Sequence, residues 1–234
     1  GANNVAFGSG SLEANTTGEQ NVSLGKSLYS NTTGSNNISA GYFALAGNTT
    51  ASNNIAIGAY SMMTNSTGTR NVALGYDALR ANTTAHNSTA IGYQALLAST
   101  GANNTAVGSY AFDEVTTGTD NTGLGLWAGE NLTTGTYNTL IGRSSGYGLT
   151  SGDNNTLIGN NAQPSSGTVD NEITLGNTSV TKFRIPGINF TVKDTTATED
   201  YVLTVDANGE AGWEAAGGGP STGQSYVLSK NDSG

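Results

Sequence analysis

Two carboxylates occur at matching points of a repeated glycine pattern. Asp113 and Glu130 each lie five residues after a glycine, Gly108 and Gly125. If these glycines mark equivalent points on neighbouring turns of a stacked chain, the two carboxyl groups lie about 5 Å apart. That separation is close to the one used by retaining glycosidases. Because a narrow stacked chain offers no substrate-sized cleft, we favour a solvated edge with mild charge repulsion and expect no catalytic residue.

Other reactive side chains are scarce. The 234-residue chain has no Cys and a single His, His86, which lies in a turn whose residue type varies, so we expect it to be exposed. The lack of Cys excludes disulfides and thiolate metal sites. Calcium-binding solenoids need Asp at fixed turn positions, a pattern that this sequence lacks. We therefore expect no metal, no cofactor and no enzymatic activity.

Aromatic residues follow the same glycines at regular intervals. Their rings either pack between chains or over the stacked turns, or they form an exposed strip that stacks on cell-surface sugars. We favour packing and leave both interpretations open. The possible surface-binding residues are Tyr42, Tyr60, Tyr76, Tyr93, Tyr110 and Trp127.

The chain has fourteen Asn-x-Ser/Thr sequences, and many of them recur with the repeat, for example at Asn31, Asn65 and Asn131. Asn and Thr in turns bond to nearby backbone groups. We favour this structural role over glycosylation.

Composition excludes several partners. Hydrophobic residues make up 35% and charged residues 11% of the chain, and the net charge is −9 without clustered cations. Nucleic-acid binding depends on clustered Lys and Arg, so we expect no nucleic-acid partner. No apolar run approaches the roughly 18 residues of a membrane-spanning helix, so we expect no membrane insertion.

A five-residue motif recurs along three quarters of the chain: Asn, a β-branched residue, a small residue, a large aliphatic residue and Gly. Eleven glycines close its copies at spacings of 16 or 17 residues. The structural anchors of this repeat include Asn4, Gly8, Asn21, Gly25, Asn54, Gly58, Asn71, Gly75, Asn104, Gly108, Asn121, Gly125, Asn138, Gly142, Asn155 and Gly159.

The repeat predicts an all-β parallel solenoid. Apolar residues alternate with small ones at a period of two, and no stripe of period 3.6 indicates a helix. A fixed period with like residues in register is typical of stacked turns, in which the motif Asn would form a hydrogen-bonded ladder. We expect two short strands and two turns in each unit.

Such units bury little apolar surface. Two to four apolar side chains, at about 1.5–3 kcal/mol each, barely offset the ordering of 17 residues at about 1–2 kcal/mol apiece. We expect the small residues at the motif centre, such as Ala56 and Ala73, to let another chain approach. This argument predicts chains packed side by side around an axis.

The motif resembles the head repeats of trimeric autotransporter adhesins and the related β-roll shafts of bacteriophage tail fibres. Asn54-Ile55-Ala56-Ile57-Gly58 and the turn Thr116-Thr117-Gly118 carry the resemblance, which covers about residues 1–176. It implies a left-handed parallel β-roll of 16–17-residue units, wound with two further copies as an intertwined homotrimeric fibre.

The composition changes after Gly176. We expect a β-rich junction or neck over residues 177–214, followed by a Gly-rich linker and the start of a second short β unit over residues 215–234. The second unit, beginning at Ser225, repeats the first, beginning at Asp200, and stops early, so we expect the chain to continue beyond Gly234.

The resemblance implies a structural and adhesive role in a virion. The shaft of a phage tail fibre would present a tip outside this chain to a host cell-surface receptor or glycan. The alternatives are a bacterial trimeric autotransporter adhesin head at the cell surface, which binds host or matrix directly, and a polysaccharide-degrading tailspike.

Overall fold

The computed structural model describes residues 1–182 and, beyond them, two five-residue strands. The first part contains eleven three-residue strands. They are β1 (Val5–Phe7), β2 (Val22–Leu24), β3 (Ile38–Ala40), β4 (Ile55–Ile57), β5 (Val72–Leu74), β6 (Thr89–Ile91), β7 (Thr105–Val107), β8 (Thr122–Leu124), β9 (Thr139–Ile141), β10 (Thr156–Ile158) and β11 (Ile173–Leu175).

The eleven strands form one parallel sheet in chain order, so each strand pairs with the next. Val5 pairs with Val22, and Val22 pairs with Ile38, which sets the closing glycines above one another. The result is a β-solenoid of about ten turns, which confirms the predicted all-β parallel stack. We call the chain from one strand to the next a rung and number each rung by its strand.

The strand centres point into the solenoid. Ala56 and Ala73 are fully buried, whereas Ile57 on the opposite side of its strand is 44% exposed. The expectation that the small central residues face another chain is therefore wrong. They are small because the opposite wall of the same rung fills the interior with a larger side chain, such as Leu45 or Leu79.

That opposite wall is built from turns. In rungs 1 and 3–9 the second and fourth residues after the closing glycine have left-handed backbone, for example Tyr60 at φ 58° and Met62 at φ 50°. This conformation, uncommon outside glycine, interrupts an extended strand, so the expectation of two strands per rung is wrong. It also places two adjacent residues, Ala44 and Leu45, inside the solenoid, which the alternation of a strand cannot do.

The turn wall is nevertheless tied from rung to rung. The Leu45 N–H donates to the Ser61 carbonyl at 2.9 Å, and the Met62 N–H donates to the Ala78 carbonyl at 2.9 Å. Backbone hydrogen bonds thus run along both walls of the solenoid. Inter-rung bonding of this kind offsets the strain of the left-handed residues.

The motif asparagines connect three points of the fold. Asn54 is fully buried; its Oδ1 accepts from the Asn71 N–H at 3.0 Å, and its Nδ2 donates to the Gly68 carbonyl in a turn at 2.8 Å. The same two bonds recur at Asn21, where the acceptor in the turn is the Gly34 carbonyl. Asn54, the residue before β4, thus ties the turn that closes rung 4 to the residue before β5, and Asn21 does the same for rung 2.

The core changes its arrangement near rung 8. Phe112 in rung 7 fills the space beside two glycines of rung 8: a Cβ at Gly123 or Gly129 would lie 2.6 or 2.3 Å from its ring. In rung 9 the strand centre is Leu140, and the facing turn residue is Gly146. A Cβ at Gly146 would lie 2.6 Å from Leu140 Cδ1, so these glycines make room for large neighbours.

The second compact unit comprises residues 183–234. Its described part is an antiparallel pair, β12 (Tyr201–Val205) and β13 (Ala211–Ala215), with Leu203 opposite Trp213. The linker and second β unit are predicted over residues 215–234; Ala215 is the last residue of β13, and residues 216–234 lie outside the described residues. Among those that are described, no helix is long and apolar enough to cross a membrane.

Candidate functional site

The outward side of the sheet carries an uninterrupted apolar row. The residue before the closing glycine is apolar in all eleven strands, and we name this row the outer apolar strip. It consists of Phe7, Leu24, Ala40, Ile57, Leu74, Ile91, Val107, Leu124, Ile141, Ile158 and Leu175.

The outer apolar strip is partly uncovered along its length. Phe7 is 77% exposed, Leu124 46% and Leu175 48%, and the β-branched residues two positions earlier in each strand lie beside it. With strands about 4.7–4.9 Å apart, ten steps extend the strip over roughly 50 Å. Contiguous apolar patches on this scale mark interaction surfaces.

A second row of large side chains follows the closing glycines. We name it the aromatic ladder: Tyr42, Phe43, Tyr60, Tyr76, Tyr93 and Tyr110.

Rings of the aromatic ladder pack against each other from rung to rung. Tyr60 and Tyr76 meet edge to face at 5.8 Å between ring centroids, Tyr76 and Tyr93 stack at 5.4 Å, and Tyr93 and Tyr110 lie 5.2 Å apart. Cations cover further faces, since Lys26 Nζ lies 4.9 Å from the Phe43 centroid. Five of the six predicted surface-binding aromatics are thus committed to ring packing, which favours the structural interpretation for them.

Trp127 is different from the other five. In the described part of the chain it makes no ring-to-ring contact with the aromatic ladder; instead the Arg143 guanidinium carbon lies 5.2 Å from its ring centroid. The equivalent position in the next rung holds Ser144, and Asn161 follows. Replacement of a large ring by a small residue along the stack leaves space below Trp127.

That space is a recess of about 420 Å³, lined by Trp127, Glu130, Ser144, Tyr147 and Asn161. Tyr147 is 48% exposed and Trp127 is half-buried. Sequence reasoning missed Ser144, Tyr147 and Asn161 as site residues. The step from the large ring of Trp127 to the small Ser144 at the same repeat position was the available signal.

The carboxylates of Asp113 and Glu130, which the repeat spacing places on neighbouring rungs, interact electrostatically. Burial and the nearby Glu130 carboxylate raise the pKa of Asp113 to about 6. Asp113 Oδ1 is buried and has no hydrogen-bond partner among the described residues. Burial, Tyr93, Asp113 and Glu130 likewise raise the pKa of Tyr110. Of the pair, only Glu130 lines the recess, so the lining carries one carboxylate.

His86 is exposed, as predicted, and takes part in turn-to-turn bonding. Its Nδ1 accepts a hydrogen bond from the Thr69 N–H in the preceding rung at 3.0 Å. Within residues 1–182 and the two later strands, no group of three or more His, Asp and Glu residues is placed to hold a metal.

Several asparagines of glycosylation sequences are inaccessible in the folded chain. Asn31, Asn48 and Asn65 are fully buried, and Asn48 Nδ2 donates to Asn31 Oδ1 at 2.7 Å. A second buried amide ladder thus accounts for the Asn-Thr-Thr turns. Asn131 is half-buried, and its Nδ2 donates to the Tyr147 carbonyl at 2.7 Å.

No family model, no curated protein and no solved structure matches the chain.

Proposed function

We propose that the chain forms the shaft of a homotrimeric phage tail fibre, built as a left-handed β-roll of 16–17-residue units that presents a receptor-binding tip to the host cell. The observation that carries the proposal is the outer apolar strip, apolar in all eleven strands and partly exposed in one chain. Such a strip favours burial against a partner.

Geometry favours a second copy of the same chain as that partner. The partner contacts successive residues of the outer apolar strip over ten rungs. Its contacting groups must therefore repeat at the same distance, or rise, as the rungs of this solenoid. An identical solenoid has that rise by construction, and closed symmetric assemblies are the usual form of homo-oligomers. The resemblance to β-roll fibres supports three copies.

The two ladders of buried asparagine amides, one in the motif and one in the turns, are suited to a stiff rod. Each rung is joined to the next through backbone bonds on both walls and through buried side chains such as Asn54 and Asn65. Bending the rod would break many buried hydrogen bonds, each costly to leave unmade. Three tips on one stiff axis would bind a surface multivalently, with a high effective concentration of the second and third tips.

The second candidate function is a bacterial adhesin head that binds host or matrix directly. The observation that favours it is the exposure of rings on the solenoid itself, with Tyr42 53% exposed and Tyr147 48% exposed.

Immunogold electron microscopy distinguishes the two functions. Antibodies raised against purified residues 1–234 are applied to phage particles and to bacterial cells from cultures that express the full gene. Label on projecting tail fibres is the expected result. Label on the bacterial surface, in cells that release no phage, would replace the tail-fibre proposal by the adhesin, and label on neither structure would overturn both.

A further inference from the structure

The recess below Trp127 is formed by a specific change in the stack. At the second position after the closing glycine, rungs 4 and 7 carry Tyr and rung 8 carries Trp127, whereas rungs 5 and 6 carry Asp77 and Gln94 and rung 9 carries Ser144. The backbone does not change, because φ is 56° at Tyr110, 57° at Trp127 and 53° at Ser144. The recess therefore results from side-chain size alone and not from a local distortion.

The walls of the recess are held rigidly. The Trp127 N–H donates to the Ser109 carbonyl at 3.1 Å, the Ser144 N–H to the Leu126 carbonyl at 2.9 Å, and the Asn161 N–H to the Arg143 carbonyl at 2.8 Å. The backbones of these three lining residues are thus anchored to the rung before them. A site on rigid elements loses little conformational entropy on binding, which favours affinity for small groups.

The lining combines two aromatic rings with a few polar groups. Trp127 and Tyr147 contribute aromatic rings, while Glu130, Ser144 and Asn161 contribute a carboxylate, a hydroxyl and an amide. An aromatic face carries partial negative charge and attracts the weakly positive C–H groups on one face of a pyranose ring. The polar groups match the hydroxyls that the same ring carries on its edge. Concave sites with apolar walls and a small polar set are the usual form of small-ligand sites.

The charge of this edge selects among sugars. Glu130 lines the recess, and the Asp113 carboxylate lies close enough to it for the two charges to interact. Arg143 lies over Trp127 and does not line the recess. A carboxylate or sulfate on the ligand would be repelled, so a neutral sugar fits best.

We propose that this recess binds a neutral pyranose unit of a surface polysaccharide, which gives the solenoid a lateral glycan subsite in addition to the tip of the proposed fibre. None of its lining residues belongs to the outer apolar strip. The inference therefore goes beyond the proposed function, and its site shares no residue with the surface that we propose to be covered in the trimer.

Binding of the full chain to immobilised oligosaccharides tests the proposal. The probes are glucose, mannose, galactose and N-acetylglucosamine oligomers of four or more units, together with sialylated and sulfated oligosaccharides. We expect binding to at least one neutral series and weaker binding to the acidic ones. Absence of neutral binding, or preference for the acidic probes, would overturn the proposal.

Three variants locate the site. Trp127→Ala removes a wall, and Ser144→Tyr fills the recess with a residue that rungs 4 and 7 already accommodate at this position. Both should weaken neutral-glycan binding at least tenfold. Tyr76→Ala, in the aromatic ladder, is the matched control and should change binding less than twofold. We expect Ser144→Tyr to preserve the fold, because Tyr already stands at this position in rungs 4 and 7. Unchanged binding by this variant, with an unchanged melting temperature, would contradict the assignment.

Discussion

Rungs 2–6 and rungs 9–10 place their large core side chains on opposite walls of the solenoid. In rung 5 the strand contributes Ala73 and the turn wall Leu79, whereas in rung 9 the strand contributes Leu140 and the turn wall Gly146. The closing corner changes too, from the buried amide of Asn65 to an apolar Leu132. Stacked rungs therefore require a constant interior volume, not a fixed residue at each position.

The change occurs at rung 8, where Gly123 and Gly129 face each other. Phe112 enters this space from the rung before, and Leu140 enters it from the rung after, since a Cβ on Gly129 would meet both. Large side chains from neighbouring rungs thus replace the core residue that rung 8 lacks. The core packing of rung 8 therefore depends on side chains of its neighbours more than that of any rung with its own Leu. Substitutions around rung 8 are the most sensitive test of the comparison.

The largest expected effect is that of Phe112→Ala. Because no side chain of rung 8 can occupy the vacated space, we expect a loss of about 3–5 kcal/mol in the free energy of unfolding, towards the upper end of core truncations. Leu96→Ala in rung 6 is the control, with an expected loss of about 2–5 kcal/mol and a value below that of Phe112→Ala. Urea unfolding of both variants measures the difference. A smaller loss for Phe112→Ala would show that rung 8 is not specially dependent on that ring.

A double-mutant cycle at Leu140 and Gly146 tests whether the two packing schemes are interchangeable. Leu140→Ala should cost about 2–5 kcal/mol through its cavity, and Gly146→Leu about 1–3 kcal/mol through overpacking. The combined variant reproduces the arrangement of rung 5 and should recover at least half of the loss, since neighbouring substitutions couple. Additive losses in the unfolding free energy would mean that volume alone does not explain the exchange.

Exchanging the corner residues gives a smaller effect. In Asn65→Leu, Asn48 Oδ1 loses the Asn65 amide and Asn82 Nδ2 loses its acceptor Asn65 Oδ1. Buried polar groups left unpaired should cost about 1–3 kcal/mol. The reciprocal Leu132→Asn introduces an amide between apolar corners and should also destabilise. Thermal unfolding measures both variants. An unchanged stability of either one would mean that polar and apolar corners can replace each other.

The smallest expected effect concerns the acidic edge, which occurs in rungs 7 and 8 and is absent from rung 5, where Arg80 takes the place of Asp113. The folded-state pKa of Asp113, about 6, lies above that of a free carboxyl. Ionisation therefore destabilises the fold as the pH rises from about 4 to above 6. Asp113→Asn should stabilise at pH 7 by on the order of 1 kcal/mol after solvent screening, and the gain should disappear by pH 4. A pH-independent gain in unfolding free energy would contradict this.

The sequence predicts the stacking well because the signal is repeated. A β-branched residue lies three positions before each of the eleven closing glycines, which indicates parallel pairing. The Asn that precedes this β-branched residue indicates the amide ladder. A single copy of the motif does not show whether its small central side chain points into the core or towards another chain. Ala56 is compatible with a neighbouring chain or with its own core, and only the left-handed turn that brings Met62 inside decides between them.

The candidate site was less predictable for a similar reason. Aromatic residues at repeated positions predict a row of rings along the solenoid. Whether each ring packs against another ring or stays exposed depends on the residues in the rungs before and after it. Tyr76 and Tyr93 stack because consecutive rungs both carry rings, whereas Trp127 precedes Ser144 and borders a recess. Breaks in a repeat carry more information about binding than the repeat itself.

Sedimentation equilibrium of the purified chain tests the central claim, that the outer apolar strip is covered by further copies of the same chain. The expected mass is three times 23.6 kDa, or about 71 kDa, at micromolar concentration and independent of dilution. A single species of 23.6 kDa that stays folded would contradict the claim, because the strip would then be exposed in a stable protein.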